Sequence, residues 1–91
     1  MLENKICLVT GATSGIGAET ALQLARLGAT VIVIGRNAQK SAATVVRIRQ
    51  QTGNAAVEYM LADLSSRQDI RRLAQEFKRK YRRLDVLVNN V

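Results

Sequence analysis

The sequence has no histidine, no proline, no tryptophan and a single cysteine, Cys7. Without an imidazole there is no Ser-His-Asp triad and no Cys-His nucleophile, and one thiol builds neither a zinc cluster nor an internal disulfide. Most hydrolase templates are therefore excluded. No apolar run approaches the ~18 residues of a membrane-crossing helix. Glu3, Asn4 and Lys5 interrupt the start of the chain where a signal peptide would be apolar. Cytoplasmic residence is the resulting expectation. Aromatic residues make up only 3% of the chain, too few for a base-stacking platform.

What is present describes a packed domain. With 47% hydrophobic and 23% charged residues, the 91-residue chain is neither disordered nor low-complexity, and it is one domain at most. The net charge of +7 suggests nucleic acid, anionic membranes or phosphorylated ligands as partners. Most of that excess lies in residues 67–91, where Arg67, Arg71, Arg72, Lys78, Arg79, Lys80, Arg82 and Arg83 crowd a helical pattern. Glu76 and Lys80 are spaced to pair at i,i+4, an apolar stripe occupies the other side, and no recognition motif accompanies the charge. The stretch reads as a solvated helix face, and nucleic acid is not expected as a partner.

Four short runs rich in β-branched residues, Ile6 to Val9, Val31 to Ile34, Val57 to Leu61 and Val86 to Val88, read as strands. Their near-continuous apolar character suits strands covered on both faces. Three helical patterns separate them. The first runs from Gly15 to Leu27 with Ala18, Ala21, Leu22 and Ala25 on one face and Gly28 as terminator. The second follows Asn37, a good N-cap, through Ala42, Val45, Val46 and Arg49 to Gly53. The third follows Ser66, with Asp69 completing a variant capping box and Ile70, Leu73, Ala74, Phe77 and Tyr81 along one side. Strands and helices alternating in this way form the N-terminal half of a Rossmann-type, doubly wound parallel α/β sheet, with strand order 3-2-1-4.

The segment Thr10-Gly11-Ala12-Thr13-Ser14-Gly15-Ile16-Gly17 joins the first strand to the first helix, and that position makes its glycines informative. Gly11 allows the tight exit from the strand, Gly15 lets a diphosphate approach the backbone, and Gly17 brings the helix close to the sheet. Free amides of the first helical turn, including Ile16, then face the phosphates. Thr13 and Ser14 add hydroxyl donors or cap the helix. A nucleoside triphosphatase loop is excluded, because Gly15-Ile16-Gly17-Ala18 provides no lysine for a terminal phosphate.

With its T-G-x-x-x-G-x-G signature at Thr10 to Gly17, the sequence resembles the short-chain dehydrogenase/reductase family. Arg83-Leu84-Asp85-Val86-Leu87-Val88-Asn89-Asn90 resembles that family's fourth strand and the opening of its N-N-A-G motif, with Val91 in place of alanine. The resemblance spans the whole chain. It implies that Asp63 accepts a hydrogen bond from an adenine amino group while Leu64 packs nearby, a turn or cap being the alternative for Asp63. It also implies that one of Asn89 and Asn90 braces the sheet and the other lies near the cofactor's ribose.

Cofactor choice follows from the second strand. A site for NAD places a carboxylate at its end, about 20 residues past the glycines, yet no acidic residue occurs between Glu19 and Glu58. Arg36 stands there instead, followed by Asn37, and a guanidinium fork suits a 2′-phosphate. NADP is the expected cofactor.

The family's chemistry uses a Tyr-x-x-x-Lys pair, and here Tyr59 and Tyr81 are followed at that spacing by Asp63 and Asp85. Residues 1–91 are thus expected to be an NADP-binding half-domain truncated before the catalytic segment of a reductase acting on an alcohol or ketone. A catalytically inactive nucleotide-binding or interaction module is the alternative. In either case the fourth strand and one sheet face should stay bare, favouring self-association into a homo-oligomer.

Overall fold

The computed structural model describes residues 1–13 and 15–90. Within them the chain runs β1 (Ile6–Thr10), α1 (Gly15–Arg26), β2 (Thr30–Gly35), α2 (Ala38–Thr52), β3 (Val57–Leu61), α3 (Arg67–Lys80) and β4 (Val86–Val88). The strands pair in parallel in the order β3-β2-β1-β4, the expected half of a doubly wound sheet. Among the described residues no helix is long and apolar enough to cross a membrane.

The central strands β1 and β2 are apolar on both sides because both their sides are covered. Cys7, Val9, Val31, Val33 and Val57 meet α1 and α2 on one face, while Leu8, Ile32, Ile34 and Met60 meet α3 on the other. Small side chains, Ala21 and Ala25, let α1 lie close to the sheet; α3 reaches it through the larger Leu73 and Phe77. The turn after α1 closes with two reversed hydrogen bonds, Gly28 N–H to the Ala25 carbonyl (3.0 Å) and Ala29 N–H to the Leu24 carbonyl (3.2 Å). That is the Schellman pattern expected of a glycine terminator.

Several local expectations need correction. The buried stripe of α2 is Ser41, Thr44, Val45 and Ile48, not the Ala42 and Val46 side; Val46 is half exposed. The helix turns its Ser41, Thr44, Val45 and Ile48 side to the sheet, and Thr44 satisfies its hydroxyl on the Lys40 carbonyl at 2.9 Å. On α3 only Leu73 and Phe77 are buried; Ile70 and Ala74 stay exposed beside a half of the sheet that nothing covers. Glu76 pairs with Arg72 (2.7 Å), and Lys80 reaches across to Glu58 on β3 (2.8 Å). The capping box at Ser66 forms only its forward half: Asp69 N–H donates to Ser66 Oγ (3.2 Å), but the Asp69 carboxylate accepts from Asp63 N–H (2.7 Å).

The short β4 is held at its start by Asp85. Its carboxylate accepts from the Ile6 N–H (2.8 Å) and from Arg83 Nε (3.0 Å), while its own N–H donates to the Ile6 carbonyl (2.9 Å). The Ile6 bond, chiefly, holds this carboxyl below its ordinary value. A depressed folded-state pKa contributes stability above the unfolded chain's carboxylate range, and that contribution disappears as pH falls through the folded value. Asp85→Ala should therefore lower the melting temperature at about pH 7, and that effect should shrink as pH falls through the depressed folded-state value, where the carboxylate becomes protonated. A difference between wild type and variant that persists unchanged into acid would contradict this.

Cys7 is fully buried in β1, and burial, then the nearby Asp85 charge, raises its thiol pKa. A thiol of this kind is inert. The native protein should resist an aromatic disulfide reagent and titrate one thiol per chain only after unfolding; rapid labelling of the native state would refute this placement.

Candidate functional site

The β1–α1 turn places three glycines under three different constraints. Gly11 and Gly15 both take φ of +60°, a left-handed conformation that favours glycine. A Cβ at Gly11 would collide with the Asn90 carbonyl; one at Gly17 would collide with the Gly11 carbonyl and come within 2.7 Å of Asn90 Nδ2. At Gly15 an added Cβ would meet nothing within 4 Å. Protein atoms therefore account for the absence of a side chain at Gly11 and Gly17. At Gly15 the backbone lies open to whatever approaches from outside.

That opening lies over the first turn of α1, whose initial N–H groups have no partner within the helix. Ile16, in the same turn, is among the most exposed apolar residues of the chain, at 77%. Ser14 lies outside the described residues. Below the turn a groove of about 1190 Å³ runs along the carboxyl ends of the strands, lined there by Gly11, Thr13, Arg36, Asp63, Asn89 and Asn90. It exceeds the ~300–1,000 Å³ of an ordinary small-molecule cleft. Its lower reach, past Leu64 towards Ile70, Leu84 and Leu87, is apolar and is the bare face expected beside β4.

Thr10 secures the floor. Its buried hydroxyl donates to Asn89 Oδ1 (3.1 Å) and accepts from the Asn90 N–H (3.0 Å), while Asn90 Nδ2 reaches the Gly11 carbonyl at 3.5 Å. Both asparagines thus tie the end of β4 to the end of β1; Asn89 is the more exposed of the two. Sequence reasoning gave Thr10 no role of its own. The available signal was a hydroxyl at the last position of a strand that pairs with the strand carrying the asparagines.

At the end of β2, Arg36 is exposed and enters no ion pair among the described residues. Asn37 caps α2, its Oδ1 accepting from the Lys40 N–H at 2.9 Å, so only its amide nitrogen is left to face a ligand. Asp63 forms the turn considered for it: Oδ1 accepts from Ser65 Oγ (2.6 Å) and from the Ser65 N–H (3.0 Å). Those two bonds, in that order, with a smaller pull from Arg36, hold its carboxyl below the usual range. Asp63 is therefore an ionised, acceptor-only group, and Oδ2 remains to receive a donor. Ser65 was not singled out from the sequence, although Asp-x-Ser is the spacing of such a turn.

Along the carboxyl edge of the sheet, the free amides and helix dipole at the α1 turn, the Arg36 guanidinium and the Asp63 carboxylate thus follow one another at the ends of β1, β2 and β3. This is the donor set for an extended ligand with a diphosphate and a further anionic group. Neither tyrosine has a lysine at the family's Tyr-x-x-x-Lys spacing. Burial, then hydrogen bonding to Glu58, pushes the Tyr81 hydroxyl far above its ordinary value, so it keeps its proton.

Residues 5–91 match the family model of the short chain dehydrogenases, and the chain belongs to that family. It is 44% identical over 88 residues to a 3beta-hydroxysteroid dehydrogenase of Mediterraneibacter gnavus, covering 97% of this chain and 31% of that protein. Against human polyprenol dehydrogenase it is 45% identical over 87 residues, covering 96% and 26%. A crystal structure of a short chain dehydrogenase from Escherichia coli CFT073 complexed with NADPH superposes with a TM-score of 0.91 at 40% identity, covering 99% of this chain and 38% of that one. The chain therefore spans about a quarter to two fifths of the length of these relatives.

Proposed function

We propose that residues 1–91 are the NADP(H)-binding half of an oxidoreductase that transfers hydride between NADP(H) and an alcohol or carbonyl substrate. The observation that carries this reading is the open, left-handed backbone at Gly15 above the first turn of α1. There the amides of Gly15, Ile16 and Gly17 hold the diphosphate, with the Thr13 hydroxyl beside it. Arg36 takes the 2′-phosphate with Asn37 at its side, since the end of β2 carries no carboxylate for a bare ribose hydroxyl. Asp63 accepts from the adenine amino group and the exposed Leu64 covers the ring. Asn89 lies nearest the ribose, while Asn90 braces Gly11.

When bound, the cofactor supplies a hydride donor or acceptor. The chain's own residues bind it, orient it and neutralise its phosphates. They transfer no proton, because neither tyrosine has a lysine at the family's spacing and the Tyr81 proton is held in place. This reading assigns the acid–base pair to the further length that the relatives possess. Self-association through the open apolar face of α3 and β4 belongs to the same account.

The test is a titration of the full-length protein by the fluorescence of the reduced nicotinamide. NADPH should bind about tenfold or more tightly than NADH, the margin expected of a charge-assisted pair. Equal affinities, or no binding, would overturn the proposal.

A further inference from the structure

Ser41, in the first turn of α2, is fully buried, and its hydroxyl has no hydrogen-bond partner among the described residues. Buried hydroxyls are normally satisfied, as Thr44 is on the same helix face. The Ser41 oxygen is instead pressed against Gly35, where a Cβ would overlap it. From that same point the Ser41 Cβ is 3.7 Å away, an ordinary contact, and the Thr13 methyl 3.3 Å. Gly35 is not in the left-handed region. Space, rather than backbone conformation, excludes a side chain there.

The residues on either side of Arg36 are both anchored. The Gly35 carbonyl accepts from the Ala62 N–H (3.0 Å), and Asn37 holds the first turn of α2 through the Lys40 N–H (2.9 Å) and the Ser41 N–H (3.0 Å). How closely that turn approaches the end of β2 is decided where Ser41 meets Gly35. Arg36 bridges the two, so its backbone is held between these anchors.

We infer that Gly35 and Ser41 are a positioning pair that aims Arg36 and thereby sets the preference for NADP(H) over NAD(H). This rests on the function proposed above. Planar, bidentate recognition of a phosphate tolerates little displacement, whereas NAD(H) has no phosphate there and is insensitive to the same shift. The orphaned hydroxyl fills the space against Gly35 without a hydrogen-bond partner among the described residues.

Gly35→Ala, Ser41→Ala and the double variant, made in the full-length protein and titrated with NADPH and NADH, test this. Gly35→Ala should weaken NADPH about tenfold and NADH less than about twofold, the loss of one oriented charge-assisted contact. Ser41→Ala leaves 3.7 Å to the new methyl, so the double variant should recover NADPH binding to within about threefold of wild type. If Gly35→Ala does not fold, Ser41→Cys presses the same contact with a larger atom and should show the same selective loss. Equal losses for both cofactors, or no recovery in the double variant, would overturn the inference while leaving the functional proposal standing. A wild-type protein without NADPH preference would overturn both.

Discussion

Replacing Arg36 with alanine is expected to weaken NADPH binding about tenfold to a hundredfold and to change NADH binding by less than about twofold. The guanidinium is exposed and enters no ion pair among the described residues, so its removal breaks no salt bridge there and should leave the fold intact. The lower end of the range applies if solvent screens the pair, as it does most surface ion pairs. Arg36→Glu goes further, placing at the end of β2 the carboxylate that suits a free ribose hydroxyl, and should invert the preference. Parallel titrations with the two reduced cofactors, read as a ratio, separate this from general damage. A loss common to both cofactors would show that Arg36 has only a structural role.

The second large effect contrasts two glycines in one turn. Gly15→Ala places a methyl in open space, so the protein pays only the left-handed backbone strain, about 1–2 kcal/mol. It should fold, melt a few degrees lower, and bind NADPH at least about a hundredfold more weakly, because the methyl occupies the room a phosphate needs. Gly17→Ala puts its methyl into the Gly11 carbonyl and the Asn90 amide, so α1 must move off β1. Overpacking of that kind costs about 1–3 kcal/mol or more, and stability should fail along with binding. Melting curves and NADPH titrations on both variants check the contrast. If Gly15→Ala bound NADPH normally, the open backbone would not be the phosphate site.

Features set by neighbouring residues were legible in the sequence. The strands at Val57–Leu61 and Val86–Val88, the caps at Asn37 and Ser66 and the stop at Gly28 all depend on side chains within one turn of the feature they define. The Gly11, Gly15 and Gly17 turn could be read because a strand precedes it and a helix follows. What could not be read depends on elements brought together only by folding. Lys80 forsook Glu76 for Glu58 because α3 lies across β3. Ser41 and Thr44, rather than Ala42 and Val46, face the core because the side of α2 turned inward is fixed by its packing against α1, β2 and β3. Thr10 acquires its hydroxyl network only once β4 is seated beside β1, and Asp69 turns to Asp63 rather than to its own cap for a similar reason.

The most direct test is a crystal structure of the full-length protein with NADP. Oxygens of the diphosphate are expected within hydrogen-bond distance, about 2.7–3.2 Å, of the amide nitrogens of Ile16 and Gly17, at the open face of Gly15. A diphosphate found elsewhere, for example on Lys78 and Arg82 at the lower end of the groove, would contradict the account at its root.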